Sequence, residues 1–378
     1  QRDDGSIGAY DTSGNRRWET VSLGSPARGP LVSGGMIFTE NDDKGVMAFA
    51  DPSIIAQLPK SSQAGPSPTP KLATVNDPFT IVRSLPLADA GLAIPLSLSV
   101  GPDDLVYVLD TKPSVTVIDP QDWRVVRTWG HQGSAPGEFD LTEPDDNPGF
   151  GDIVVGHSGR VYVADGSNSR IQVFEPDGTP VAQYGRYGNG PGQFGSIAAI
   201  ALDPEENMYV LDGSENAITK LTHDGRFVWR DAASVIVRGA SPGYLHGPVI
   251  RPDGKLLVGC EGCQSSLLID TTDGRVVGAF HANFIDQVTG WFDRAGAFDA
   301  AGNLFGDTWI PPDRGVDVVV APSGDVIGSR YGTLTDIGRQ VHSWGTSFYP
   351  KLAFGPDGLI YTFDDQGLLQ VKVDLPRH

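Results

Sequence analysis

Residues 156–178 read GHSGRVYVADGSNSRIQVFEPDG, and this stretch decides the fold. Gly159 is placed for a tight turn, and Val161, Tyr162 and Val163 make a short β-rich run ending at Asp165. The polar loop GSNS follows, then a second run from Arg170 to Phe174, then the turn Pro176-Asp177-Gly178. Two β-rich runs bounded by turn residues are a hairpin signal. The first half of the pattern recurs as GPDDLVYVLD (101–110), GHSGRVYVAD (156–165), DPEENMYVLD (203–212), RPDGKLLVGC (251–260), DAAGNLFGDT (299–308) and GPDGLIYTFD (355–364). These copies close at intervals of 55, 47, 48, 48 and 56 residues, and a weaker seventh, LVSGGMIFTEN, occupies 31–41. Tandem units of about 50 residues with four short strands each predict propeller blades.

An apolar run precedes most of the turns, at 96–100, 153–155, 198–202, 248–250, 295–298 and 351–354, and reads as the innermost strand of a blade. A further pair of strands follows in most units, as in RIQVFEPDGTPVAQYG (170–185) and VDVVVAPSGDVIGSRYG (316–332). Their Asp-Gly and Ser-Gly turns supply the positive φ that a reversal needs. The expectation is an all-β chain, one propeller over residues 1–378, with four-stranded antiparallel blades. Seven hairpins favour seven blades, with six as the alternative. Residues 7–19, IGAYDTSGNRRWE, look like an outer hairpin without an inner one, and the last unit stops after LLQVKVDL (368–375). The simplest solution is a ring closed by the N- and C-terminal segments, residues 16–21 serving as the outer strand of the last blade. The open alternative pairs that hairpin with another molecule. Residues 57–78, rich in Pro, Ser and Thr, read as a surface insertion in the first unit, after which 79–87 returns as an outer strand.

Gly 48 and Pro 29 in 378 residues fit many short strands joined by turns. A formal net charge of −19 opposes a nucleic-acid backbone or an anionic membrane as partner. No run of 18 apolar residues occurs, so no membrane span is expected.

VYVADGSNSRIQVFEPDG resembles the NHL repeat, in which a Val-x-Asp strand end, a Gly/Asn loop and an Arg-Ile-x-x-Phe strand recur. TWGHQGSAPGEF (128–139) and QYGRYGNGPGQF (183–194) are similar to the joints between such blades. The resemblance is strong over 97–230 and weaker over 244–374, and within the strong stretch only Arg170 keeps the arginine, with Ser114 and Ala217 in its place elsewhere. It implies a propeller, often of six blades.

Asp110, Asp165, Asp212 and Asp364 recur at the end of the second strand. They suit either a cation ring over the channel or caps on loop amides, with Asp165 meeting Arg170 or the Asn168 loop. NHL-like amidating lyases hold zinc with histidines at the start of inner strands. The matching places here, PLSLSV, GDIVV, IAAIAL and PKLAF, have none, and His246 in GYLHGPVI stands alone. One imidazole is short of the three protein ligands catalytic zinc takes. Cys260 and Cys263, in C-E-G-C, read as a small disulfide or as free thiols. A disulfide favours an extracellular or cell-surface setting, with the periplasm as the alternative. Tyr244, His246, Trp291, Asp293, Arg294, Trp309, Trp344 and Tyr349 are the candidate binding face, suited to protein or glycan unless they pack between blades. No cofactor is expected, with calcium at acidic turns the exception. The expected function is a non-catalytic binding or assembly scaffold, partnered by protein, glycan or other copies of itself. The alternative is a lyase or hydrolase with a metal at the channel mouth.

Overall fold

The hairpin at 161–174 forms in register, with Val161–Asp165 antiparallel to Arg170–Phe174 and Val163 opposite Gln172. Gly151–Val155 adds on one side and Pro180–Tyr184 on the other, giving a four-stranded sheet in chain order. Its two middle strands are buried along their whole length, as expected of a sheet covered on both faces. In the computed structural model the described residues are the strands at 8–10, 16–19, 31–33, 36–41 and 45–50, then 78–141, 151–232, 245–260, 266–280, 282–283, 289–290, 292–310, 314–324, 326–331, 352–364 and 366–375.

Contacts divide the chain into residues 1–71 with 238–241, and residues 72–237 with 242–378. In the first unit Gly8–Tyr10 pairs with Arg16–Glu19, and Leu31–Ser33, Met36–Asn41 and Gly45–Ala50 form a three-stranded sheet. The second unit holds six four-stranded antiparallel sheets. Blade I is Pro95–Val100, Val106–Asp110, Ser114–Asp119 and Arg124–Trp129; blade II is the sheet just described. Blade III is Ile197–Leu202, Met208–Asp212, Ala217–Leu221 and Phe227–Ala232; blade IV is Leu245–Ile250, Leu256–Cys260, Ser266–Ile269 and Val276–Phe280. Blade V is Phe292–Phe298, Leu304–Ile310, Arg314–Val320 and Val326–Tyr331. Blade VI joins Ala353–Phe354, Ile360–Phe363 and Gly367–Val373 to Phe79–Pro86 from the other end of the unit. Each innermost strand touches the next, and Ala353–Phe354 returns to Pro95–Val100, so the six sheets close a propeller ring.

Two expectations are corrected. Seven repeats give six blades, because the copy at 31–41 joins Gly45–Ala50 in the three-stranded sheet of the first unit. A hairpin pattern records strand and turn, and membership of a ring is a long-range property it does not carry. Residues 16–19 do not complete the last blade. Phe79–Pro86 takes that edge along its full length, Gly367 opposite Pro86 and Val373 opposite Phe79. The sequence pattern marked this segment as an outer strand, but of a first blade. Residues 57–77 of the surface insertion lie outside the described residues.

Hydrophobic burial is arranged by joint. Leu109, Val117 and Phe139 pack with Ile153 and Phe174 between blades I and II. Tyr162 and Ile171 pack with Ile200 and Val210 between II and III. The series ends with Tyr361, Phe363 and Leu368 of blade VI against Leu98, Val106 and Ile118 of blade I. No single sheet has a core of its own, so neighbouring blades supply each other's apolar contacts. The linkers between blades repeat as well. Phe139 and Phe194 are wholly buried plugs whose amides donate to His131 O at 2.9 Å and Arg186 O at 3.0 Å.

All six outer strands carry a β-bulge against the third strand. The residue passed over is β-branched each time: Val126, Val181, Val228, Val277, Ile327 and Val82. An extra residue there bends the strand and steepens its twist.

Candidate functional site

Five innermost strands share one register position. Ser97, Asp152, Ala199, His246 and Arg294 lie opposite Leu109, Ala164, Leu211, Gly259 and Asp307, each one residue before the end of its second strand or the equivalent place. In blades I, III, IV and V the inner strand carries a bulge beside this position, which bends it locally. At this position the side chains of Ser97, Asp152 and His246 are buried.

The carboxylate is already engaged. Asp152 is 4% exposed, and its Oδ1 accepts from Ser97 Oγ at 2.5 Å while Oδ2 accepts from the Ile200 amide at 2.8 Å. The Ile153 amide adds a bond to Oδ1 at 2.8 Å. One buried side chain thus joins blades I, II and III at the hub. Its acceptor sites are spent on amides and a hydroxyl, a poor arrangement for a general base. His246 is buried on the inner strand of blade IV, 8% exposed.

Asp293 and Arg294 lie on the inner strand of blade V and Trp309 on its second strand. Tyr244, Trp291, Trp344 and Tyr349 lie outside the described residues. So does Cys263, and with it any pairing to Cys260, which ends the second strand of blade IV. Among the described residues no three His, Cys, Asp or Glu side chains gather as a metal site.

The repeated aspartates lie where the second strands end, and their oxygens bind the loops of their own blades. Asp110 accepts from the Ala93 and Lys112 amides at 2.9 and 2.8 Å, and Asp364 from the Gln366 and Gly367 amides at 2.9 and 2.8 Å. Burial pushes the Asp110 carboxyl above its ordinary pKa, and the two amide bonds offset part of that rise. Asp165 accepts from Arg170 Nε at 2.7 Å, from the Asp140 amide at 2.7 Å and from Asn168 Nδ2 at 3.0 Å. The rest of the Arg170 guanidinium donates to Ser134 O, Ala135 O and Glu138 O at 2.7, 3.0 and 2.9 Å, which fastens the linker at 131–139 to blade II. A planar five-donor fork is suited to this many-sided contact.

Blade III has Ala217 in the Arg170 position, and the pattern of single strands marks no substitute. The structure supplies Arg230 from the neighbouring outer strand. Its Nη2 donates to Asp212 at 3.4 Å and its Nη1 to Gln193 O in the equivalent linker at 3.2 Å. The signal was present in the sequence as a second arginine near the same aspartate, but only cross-strand register reveals that it serves the same loop.

On the side of these linkers two side chains stand clear. The Tyr187 residue is 82% exposed, and the His131 side chain is 73% exposed beside Glu138, 3.2 Å away. Both belong to the equivalent Pro-Gly-containing linkers, at 130–139 and 185–194.

Comparison with known proteins agrees with the architecture. Residues 149–229 match a protein-family model described as 6-bladed beta-propeller. No curated protein matches. Similar solved structures include a virginiamycin B lyase from Staphylococcus aureus, 14% identical, covering 92% of this chain and 95% of that one at a TM-score of 0.46. A protein of unknown function from Bacteroides caccae is 13% identical, covering 81% and 93% at 0.44. A putative gluconolactonase is 14% identical, covering 78% and 94% at 0.49. At this distance none of the three bears on activity.

Proposed function

We propose that this chain is a non-catalytic, NHL-like β-propeller that acts outside the cytoplasm and binds protein or glycan through the face carrying the inter-blade linkers. One observation carries the reading: the carboxylates at the hub and at the second-strand ends are committed to the scaffold. Asp152 pins three blades, and Asp110, Asp165, Asp212 and Asp364 hold loop amides or arginines. The exposed Tyr187 ring is free to stack on a sugar or to serve as an anchor for a protein partner. The NHL resemblance is supported by the role of Arg170, which ties the strand end to the linker the repeat also specifies. The extracytoplasmic setting rests on Cys260 and Cys263 forming a disulfide, and the net charge of −19 speaks against nucleic acid.

The test is binding of the purified full chain to arrayed glycans and to an immobilised second copy. Tyr187→Ala is expected to reduce any binding at least tenfold while leaving the melting temperature unchanged. Loss of binding only together with loss of fold removes this face from the reading. The second reading, a lyase or hydrolase with a metal at the channel mouth, is favoured by His246 at the hub position. One zinc per chain in elemental analysis supports it and overturns the scaffold.

A further inference from the structure

The outer strands of blades I to V are tied to the ring at both ends, by the turn from the third strand and by the chain leading to the next blade. The outer strand of blade VI is tied at one end. Pro86 runs through residues 87–94 into blade I, whereas Phe79 is reached from residues 1–77, before any other strand of the ring. Where the other blades have a turn, the Asp374 amide donates to Pro78 O at 2.9 Å. Phe79, 7% exposed, sits edge-on to Phe305 of blade V with ring centroids 6.4 Å apart.

Midway along, Arg83 reaches across to blade I. Its Nη1 donates to Gln121 O at 2.8 Å and Pro120 O at 3.3 Å, and the guanidinium lies 5.7 Å from the centre of the Trp123 ring. Trp123 has a φ of 61° in the turn between the third and outer strands, where Gly178, Gly225, Gly274 and Gly324 have φ of 92°, 81°, 79° and 92°. A bulky residue is disfavoured there. Its ring is buried with Ala90, Leu92, Val106, Ile118 and Tyr361, at the joint between blades VI and I. An unfavourable backbone conformation is therefore kept in the turn that Arg83 grips.

We propose that Arg83 and Trp123 form the latch of the ring. Phe79–Pro86 is a strap that opens from its Phe79 end while the rest of the propeller stays folded, and the latch sets how often it does so. Opening bares the edge of Gly367–Val373.

Hydrogen exchange of the full-length protein tests this. Amides of Phe79–Pro86 are expected to exchange at least tenfold faster than those of Arg170–Phe174. Arg83→Met, which keeps the aliphatic stem, is expected to speed the strap about tenfold more and to leave blade II unchanged. Arg83→Lys, which keeps charge without the planar fork, falls between. Trp123→Gly relieves the backbone but removes the platform, and speeds the strap as well. Equal rates in strap and blade II in wild type and variants overturn the latch, as does slower strap exchange in Trp123→Gly. If Arg83→Met does not fold, Arg83→Lys and Trp123→Gly decide by the same readout.

Discussion

Tyr162 donates its hydroxyl proton to Glu206 Oε2 at 3.0 Å across the joint between blades II and III. Three other blades place a tyrosine at this point of the second strand and satisfy it from their own turn. Tyr107 donates to Asp103 at 2.7 Å, Tyr209 to Asp203 at 3.0 Å and Tyr361 to Asp357 at 2.9 Å. Blade II has Ser158 where Asp103 and Asp357 stand, and the next blade provides the missing carboxylate. Glu206 also accepts from the Ser158 amide at 2.8 Å and the Ser158 hydroxyl at 2.9 Å.

Glu206→Ala strands a buried tyrosine hydroxyl and two donors of Ser158, and is expected to cost about 3 kcal/mol. Ser158→Asp alone sets two carboxylates against each other and also destabilises. The two changes together restore the arrangement of the other blades and recover part of the loss. Urea unfolding of the four proteins measures the coupling, and strictly additive effects would remove the compensation.

The same residue gives a pH dependence. Burial raises the Glu206 pKa, but the Ser158 amide and hydroxyl and the Tyr162 hydroxyl outweigh it and hold the carboxyl below its ordinary value of 4.5. A carboxyl whose folded pKa is depressed stabilises fully above its unfolded pKa and loses that contribution as pH falls through the folded value. Melting temperature is therefore expected to fall below pH 4.5 less steeply in Glu206→Gln than in the wild type.

Arg170→Ala leaves the wholly buried Asp165 without its guanidinium and releases the linker, and is expected to cost about 3–5 kcal/mol. Arg170→Lys recovers little, since one ammonium cannot reach both aspartate and three carbonyls. Arg230→Ala costs less, about 1–2 kcal/mol, because its contact to Asp212 is longer and its side chain more exposed. Chemical denaturation ranks the three, and an Arg230 effect equal to that of Arg170 contradicts the geometry.

Thr219 and Thr362 are wholly buried, and neither hydroxyl has a hydrogen-bond partner among the described residues. Thr219→Val and Thr362→Val remove a desolvated hydroxyl at nearly constant volume and are each expected to stabilise by about 1 kcal/mol. A lower melting temperature in either variant shows that the hydroxyl is satisfied in solution.

These cases show where the sequence stops informing. Val161–Asp165 and its relatives were legible because turn chemistry and β-branched runs act locally. The segment at 79–86 was recognisable as an outer strand, but its partner, Gly367–Val373, lies at the far end of the chain, and no local preference names it. Glu206 and Arg230 replace missing repeat residues from a neighbouring blade or strand, so a repeat-by-repeat reading finds gaps where the folded protein has none. The hub position was legible only in part: the inner-strand starts PLSLSV, GDIVV and GYLHGPVI could be matched, but the bulges that fix Ser97 and His246 at the same register as Asp152 are visible only in the fold.

Six aliphatic residues passed over on the rim give the molecule a social boundary. A bent, over-twisted strand offers a poor template for another chain, so rims of separate copies are discouraged from zipping together into fibres. Excising Val181, Val228 or Val277 removes a bulge and is expected to favour edge-to-edge association, seen as increased light scattering of the concentrated protein.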